Sequence, residues 1–537
     1  MSPWKSIAVL LILLCGCAYV SAQPATPKTT CKADLAPASD ADIALYKDDF
    51  KKAEELFRAQ LGKDANDDDA RAQLVRALLK DGKVNEAEQM ATKFLSANPD
   101  SSAAETAMGR VFYRKGDMPD AYAHISRAVT LDQCNGRAHY MLGRIYALSS
   151  METSAQLQYF LAHDLKPTDD DIQVVWMYWL PNKERIAPLS DYIEHSPYYN
   201  KDDENLVRSL QEAKAAESGT PQTCRAISAT NETRIALEPV FSDANPGAMG
   251  YIGSATVQAK GPEDPNYPIR GWGLDISIEG ERRRLQIITS VSGIVLSKSA
   301  AARLKPTQER QVTQFGIPSY TTHLDTIRIG DLDFKHCAAI VWKDSSISKD
   351  WDGLIGLDMF DNYLISIDAS ARQLRLSPLP PLPGQSAAEI ASLQTGAEPA
   401  SDLHDRYIPP GMSGWSRVYR TWSFWLVPTH VNKAGPERLF LLNTANWLSY
   451  VDYGLAKNLT NGRQKPGVRE LETHPIKLDF AGINLTAQHI LVGDFSSVSD
   501  SYGFDIAGFL GLQSFPNMIL NMDYRDGLIQ FVPDSKH

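Results

Sequence analysis

Cysteine is scarce in this chain, six residues in 537, which excludes a disulfide framework as a substitute for a hydrophobic core. Beyond the N-terminus no apolar run is long enough to cross a bilayer as a helix. Basic runs and base-stacking aromatic clusters are missing, and the formal net charge is −11. Nucleic acid and anionic membrane are thereby excluded as main partners. The eleven histidines include no His-x-x-x-His pair enclosing a glutamate, so a zincin-type metal site has no support. No phosphate-binding glycine loop is present, and Ser413, between Met412 and Gly414, lacks the spacing of a nucleophile elbow. No cofactor and no metal are expected.

What is present is ordinary globular composition, 43% apolar and 22% charged. At about 100–200 residues per domain the length allows three to five domains. Lys5 precedes the apolar run Ile7–Leu14, and Val20-Ser21-Ala22 offers a small-residue cleavage site. Residues 1–22 therefore read as a secretory signal, which places the chain outside the cytoplasm, periplasmic or extracellular. Leu14-Cys15-Gly16-Cys17 also has the form of a bacterial lipoprotein box, and an acyl group on Cys17 would be the one membrane contact. Processing at Ala22 leaves Cys31, Cys134, Cys224 and Cys337. A Cys31–Cys224 bridge and free buried thiols are two open readings of these four.

After a leader (residues 23–39) alanines recur at Ala53, Ala87, Ala121 and Ala155. Gly109 and Gly143 mark places where two helices approach closely, Gly82 and Gly116 the turns between helices, and Pro99 and Pro167 the ends of repeats. Phe57, Phe112, Tyr146 and Tyr159 fill the bulky positions. This 34-residue pattern resembles tetratricopeptide repeats and implies a helical solenoid over residues 40–216. The first repeat is degenerate, and no clean fifth repeat follows Pro167. The aromatic stretch Ile172–Tyr199 suits either a ligand groove or a cap, and Glu204–Ala216 reads as a closing helix.

Residues 217–250 read as a linker. Strand-like alternation then begins at Gly273–Ile278, turns at Glu279-Gly280 and runs into Ile288. A helix at Ser299–Leu304, a flap-like hairpin at Gln314–Tyr320 and a strand at Leu324–Ile329 follow. Leu379-Pro-Pro-Leu-Pro-Gly384 opens a second linker (residues 379–410), and the chain ends in a hairpin turning at Asp526-Gly527. One offset of 155 residues superimposes much of this. It carries Ile288-Thr289 onto Asn443-Thr444, Gly353-Leu-Ile-Gly356 onto Gly508-Phe-Leu-Gly511, and Ile365–Asp368 onto Leu520–Asp523. Residues 251–378 and 411–537 thus read as two copies of one lobe.

Each copy resembles the lobes of aspartic proteases of the retropepsin and pepsin-like group. Leu354-Ile355-Gly356 and Phe509-Leu510-Gly511 match the apolar-apolar-Gly segment beneath the family's active-site loop, and Thr289 and Thr444 match the loop threonine. The resemblance implies an all-β, two-lobe fold after the all-α solenoid, with a peptide cleft bounded by Thr289, Thr444, Asn443 and Tyr320. It also implies an aspartate before each threonine, where this chain has Ile288 and Asn443. The glycine after each is replaced as well, by Ser290 and Ala445. Two carboxylates sharing one proton carry that chemistry. Isoleucine has nothing to titrate and an asparagine amide takes no proton near neutral pH.

The expectation is therefore a pseudoprotease: a non-catalytic protein that binds a protein or peptide ligand. Two alternatives stand beside it. One is an active endopeptidase using displaced acids, Asp275, Asp352 and Asp452 being the nearest in sequence, or using dimerisation. The other is an envelope scaffold in which only the repeats bind.

Overall fold

The computed structural model describes residues 31–200, 204–218, 224–241, 269–314, 317–344, 347, 350–395, 403–421, 424–432, 435–445, 448–465, 467, 471, 475–487, 490–511 and 518–533. The signal segment with Cys15 and Cys17, and residues 242–268, lie outside these.

An all-helical solenoid comes first. Its pairs are Asp40–Tyr46 with Phe50–Lys63 (α1, α2), Asp68–Lys80 with Val84–Ala97 (α3, α4), Ser102–Arg114 with Met118–Leu131 (α5, α6), Gly136–Leu148 with Glu152–Leu165 (α7, α8) and Asp170–Trp179 with Asn182–His195 (α9, α10). Glu204–Glu217 (α11) closes the series. Helices α3, α5, α7 and α9 start 34 residues apart. Asp67, Ser101 and Asn135 cap the first three of these by accepting from the backbone of the first turn.

The four repeating alanines are fully buried. A Cβ on Gly109 would stand 2.6 Å from Ile125, and one on Gly143 would stand 2.7 Å from the Tyr159 ring. Paired helices therefore pack closer than any side chain at those positions would allow. The period continues one step further in the inner helix alone: α9 starts 34 residues after α7, while α10 starts at Asn182, ahead of register, and packs chiefly on α11. The signature is lost because Met177 and Leu189 stand 34 residues after Gly143 and Ala155, large residues in place of small ones.

The remainder is β-rich, and its described residues form three sheets of nine, six and eight strands. The offset of 155 residues holds for several elements. It carries strand Tyr363–Asp368 onto Met518–Asp523, strand Gln373–Pro378 onto Leu528–Pro533, and helix Lys298–Leu304 (α12) onto Tyr453–Leu459 (α14), the helix Ala387–Thr395 (α13) lying between the copies. In the six-stranded sheet the copies pair with each other, antiparallel, with Ser366 opposite Asn521. These two positions are themselves related by the offset, so a local two-fold axis passes between them.

Two sequence expectations are corrected. Residues 225–241, read as linker, instead supply three strands. Arg225–Ala226 pairs with Phe334 and Lys335, Thr233–Ala236 with Leu376 to Gln373, and Glu238–Phe241 with the strand from Ile269. Their short length and single Pro239 hid an alternation that burial reveals: in Thr233–Ala236, Thr233 and Ile235 point inward while Arg234 and Ala236 are exposed. The cysteines pair as Cys31–Cys134 and Cys224–Cys337, not as Cys31–Cys224. The leader runs along the end of α8, with Asp34 N donating to Leu165 O, which brings Cys31 to the turn before α7. Cys224 immediately precedes the strand that pairs beside Cys337.

The solenoid docks on the second copy. Tyr113, Met118 and Tyr140 share an apolar cluster with Leu426, Leu439, Leu441, Phe504 and Ile506. Arg114 pairs with Asp500 at 2.6 Å and with Asp505, whose backbone N–H donates to Arg114 O at 2.7 Å. The inter-copy segment also returns to the solenoid, where Asp405 accepts from the backbone N–H and hydroxyl of Ser154.

Candidate functional site

The sequence places chemistry at two matched loops, and each loop is built the same way. Strand Glu281–Ile288 runs parallel to Gly353–Gly356, with Ile288 beside Gly356. Strand Arg438–Leu442 runs parallel to Gly508–Leu510, and Asn443 N donates to Leu510 O at 3.0 Å. Each chain leaves its strand at Thr289 or Thr444, both buried.

Among the described residues the loops are hydrogen-bonded through one hydroxyl. Thr289 Oγ1 donates to Leu442 O at 2.5 Å and accepts from Thr444 N at 3.2 Å. Thr444 Oγ1 is equally buried but has no hydrogen-bond partner among the described residues. Asn443 Oδ1 accepts from Ala445 N at 2.9 Å, so the amide braces its own loop. Ile288 and Ala445 share a compact apolar cluster with Val291, Trp342 and Trp351. Ser290 is half-buried on the rim.

Of the expected cleft residues, Thr289, Asn443 and Thr444 lie where the two loops meet, and Tyr320 lies on a separate hairpin. Tyr320 lies on the long hairpin Arg310–Gln314 and Ile317–Ile329, between Gln311 and Val341, and packs on the main β core. Burial pushes its hydroxyl above the usual range.

Each displaced acid weighed in the sequence has a local duty. Asp275 pairs with Arg282. Asp352 accepts from Arg284 N at 3.0 Å and pairs with Arg303. Asp452 caps α14, accepting from Gly454 N at 2.7 Å and from Phe495 N at 3.3 Å. Among the described residues no group of three or more metal-ligating side chains occurs, and no helix is long and apolar enough to cross a membrane.

A second concentration of charge, which the sequence reading missed, lines the solenoid interior. Asp169 stands where the other inner helices have a cap, yet its carboxylate accepts from Arg76 at 3.2 Å and from Arg137 at 2.9 Å. Burial pushes this carboxyl up, but Arg76 and Arg137 outweigh burial and hold it below the usual range. Arg76 also pairs with Asp171, and Arg137 with Asp69 and Asp42. The signal was available: Arg76, Arg110 and Arg144 recur at the repeat period on α3, α5 and α7.

A tetratricopeptide-repeat family model matches residues 44–111, from the end of α1 into α5. No curated protein matches the chain. Among solved structures the chain is similar to a thermophilic tetratricopeptide protein of Thermus thermophilus, 20% identical over 32% of this chain and 95% of that one, with a TM-score of 0.25. It is also similar to a chain of the APC/C hetero-tetramer Cut9–Hcn1, 17% identical over 33% of this chain and 34% of that one, with a TM-score of 0.28. Tetratricopeptide repeats imply protein–protein interaction.

Proposed function

We propose that this chain is an exported, non-catalytic protein- or peptide-binding protein, a tetratricopeptide module joined to two aspartic-protease-like lobes that have lost their acid pair. One observation carries the reading: the hydroxyl of Thr289 bridges both loops while the preceding positions hold a buried isoleucine and a loop-bracing asparagine. The scaffold that would align two carboxylates is in place, and its reactive groups are absent. An extended segment can still be held between such lobes by strand addition.

Export is supported by the pairing of Cys31 with Cys134 and of Cys224 with Cys337, since disulfides persist in oxidising compartments. Mass spectrometry of the mature N-terminus separates cleavage after Ala22 from acylation at Cys17. The peptidase alternative would need an acid pair, and Asp275, Asp352 and Asp452 are each already engaged.

The test is hydrolysis of a diverse fluorogenic peptide set by the purified chain between pH 3 and pH 7, with and without pepstatin. No inhibitor-sensitive turnover is expected. Turnover that pepstatin blocks, with a bell-shaped pH profile, would falsify the reading.

A further inference from the structure

The inner face of the solenoid is bounded by the chain itself. Helix Ser496–Tyr502 (α15) and Gly503, from the second lobe, form one wall of a cavity of about 660 Å³ whose other walls are α3, α5, α7 and α9. That volume lies within the range of small-molecule sites, about 300–1,000 Å³. Tyr113, Tyr140 and Tyr178 supply its aromatic surface. Five cations line it, Arg76, Lys80, Arg110, Arg114 and Arg144, against three carboxylates, Asp48, Asp171 and Asp500. A positive excess of this kind is out of keeping with a chain of net charge −11.

Four of the five cations are engaged. Arg76 is held by Asp169 and Asp171, and Lys80 by Asp171. Arg114 is held by Asp500 and Asp505. Arg144 lies 4.5 Å from the Tyr113 ring centre and donates to Tyr502 O at 3.4 Å. Arg110 is 8% exposed, lines the cavity, and makes no hydrogen bond or ion pair with any described residue. Burial, with Arg76 nearby, pulls its pKa down to about 9, and the opposing influence of Tyr140 and Asp169 does not restore it. A buried guanidinium without a partner is costly, and its planar fork of donors matches an oxyanion.

We propose that this cavity binds a compact oxyanion, a carboxylate or a phosphate, held by the Arg110 fork with Arg144 beside it. The second lobe bounds the space opposite the repeats, which favours a compact ligand over a chain laid along them. Asp169 and Asp171 act on Arg110 only at a distance, and an anion there would supply the direct hydrogen-bonded partner that it lacks among the described residues. The site goes beyond the protein-binding function proposed above and can fail without it, because its test involves neither peptide turnover nor protein capture.

The test titrates the full-length, disulfide-intact chain with sodium phosphate and, separately, sodium succinate, against sodium chloride at matched ionic strength. Heat of binding and melting temperature are read together. Saturable binding of at least one anion is expected, and which one binds identifies the ligand class. Arg110→Lys keeps the charge but loses the bidentate fork and should weaken binding at least about tenfold, while Arg110→Gln should abolish it. Without ligand, Arg110→Gln should melt at or above the parent's temperature. The proposal is overturned if neither anion binds beyond chloride, if Arg110→Gln binds like the parent, or if Arg110→Gln fails to fold, since that failure would assign Arg110 a structural partner.

Discussion

The two lobes share a skeleton and differ on their outer faces. In the first, strand Glu281–Ile288 turns Arg284 and Gln286 away from the core, with Arg284 stacked 4.5 Å from the Trp351 ring. The positions related by the offset of 155 in the second lobe are Leu439, Leu441 and Ile506, and all three are buried against the solenoid. Strand alternation explains the economy of this change. Residues 285 and 287, like 440 and 442, face the shared core and stay apolar in both lobes, so the opposite face was free to change. One copy thus carries polar residues there, Arg284 half-buried and Gln286 buried, while the other presents a docking surface.

The largest expected effect tests the equivalence of the lobes. A Cβ on Gly353 would fall 2.1 Å from Val295 O, and one on Gly508 would fall 2.0 Å from Tyr450 O. The obstacle in each lobe is the same backbone carbonyl under the offset. Gly353→Ala and Gly508→Ala should each cost on the order of 4 kcal/mol or prevent folding. Denaturant melts that found one tolerated would break the comparison.

Next comes a pH effect confined to the second lobe. Asp368 Oδ1 accepts from Ala371 N at 2.7 Å, and its counterpart Asp523 Oδ1 accepts from Asp526 N at 3.1 Å. Asp523 is fully buried, its Oδ2 lacks a partner among the described residues, and burial, aided by Asp526, pushes its pKa up to about 6. An acid raised in the folded state contributes stability below its unfolded pKa, near 4, and loses it as pH rises through 6. Asp523→Asn stays neutral throughout. Its stability relative to the parent should grow by about 2.4 kcal/mol between pH 4 and pH 7, and a pH-independent difference would refute the assignment.

A smaller asymmetry lies at the loops. Thr289→Val strands Leu442 O and Thr444 N and should cost about 2 kcal/mol. Thr444→Val removes a hydroxyl that bonds nothing described, and should be neutral within about 0.5 kcal/mol or slightly stabilising. Equal losses in urea titrations would show that the grip is reciprocal after all.

The smallest effect probes docking. Arg114→Ala removes pairs to Asp500 and Asp505, both well exposed on their carboxylate side. A loss of about 1 kcal/mol is expected, shrinking as salt rises. A loss indifferent to salt would mean that the apolar cluster alone holds the solenoid.

Much of this architecture was legible. Fully buried alanines at Ala53, Ala87, Ala121 and Ala155 mark helix packing by size alone, and size is written in the residue type. The helix Lys298–Leu304, the turn at Glu279-Gly280 and the terminal hairpin followed from local rules of capping and left-handed glycine. Strand Thr233–Ala236 was not legible, since four residues are too few for a period to declare itself. At the loops, the lack of a titratable side chain at Ile288 and Asn443 was plain from residue type, but nothing local said that Thr289 would bond across and that Thr444 would find no partner among the described residues.

Alone, the sequence determined the repeat period, the duplication and the lack of ionisable groups at the paired loops, because each is a property of residue type at fixed spacing. Tertiary structure alone decided that Cys31 meets Cys134, that Leu439 and Leu441 lie under the solenoid, and that Arg110 is buried without a hydrogen-bond or ion-pair partner among the described residues. Those outcomes depend on which surfaces meet across hundreds of residues, and burial of apolar area, being non-directional, leaves no periodic trace by which to read the partner in advance.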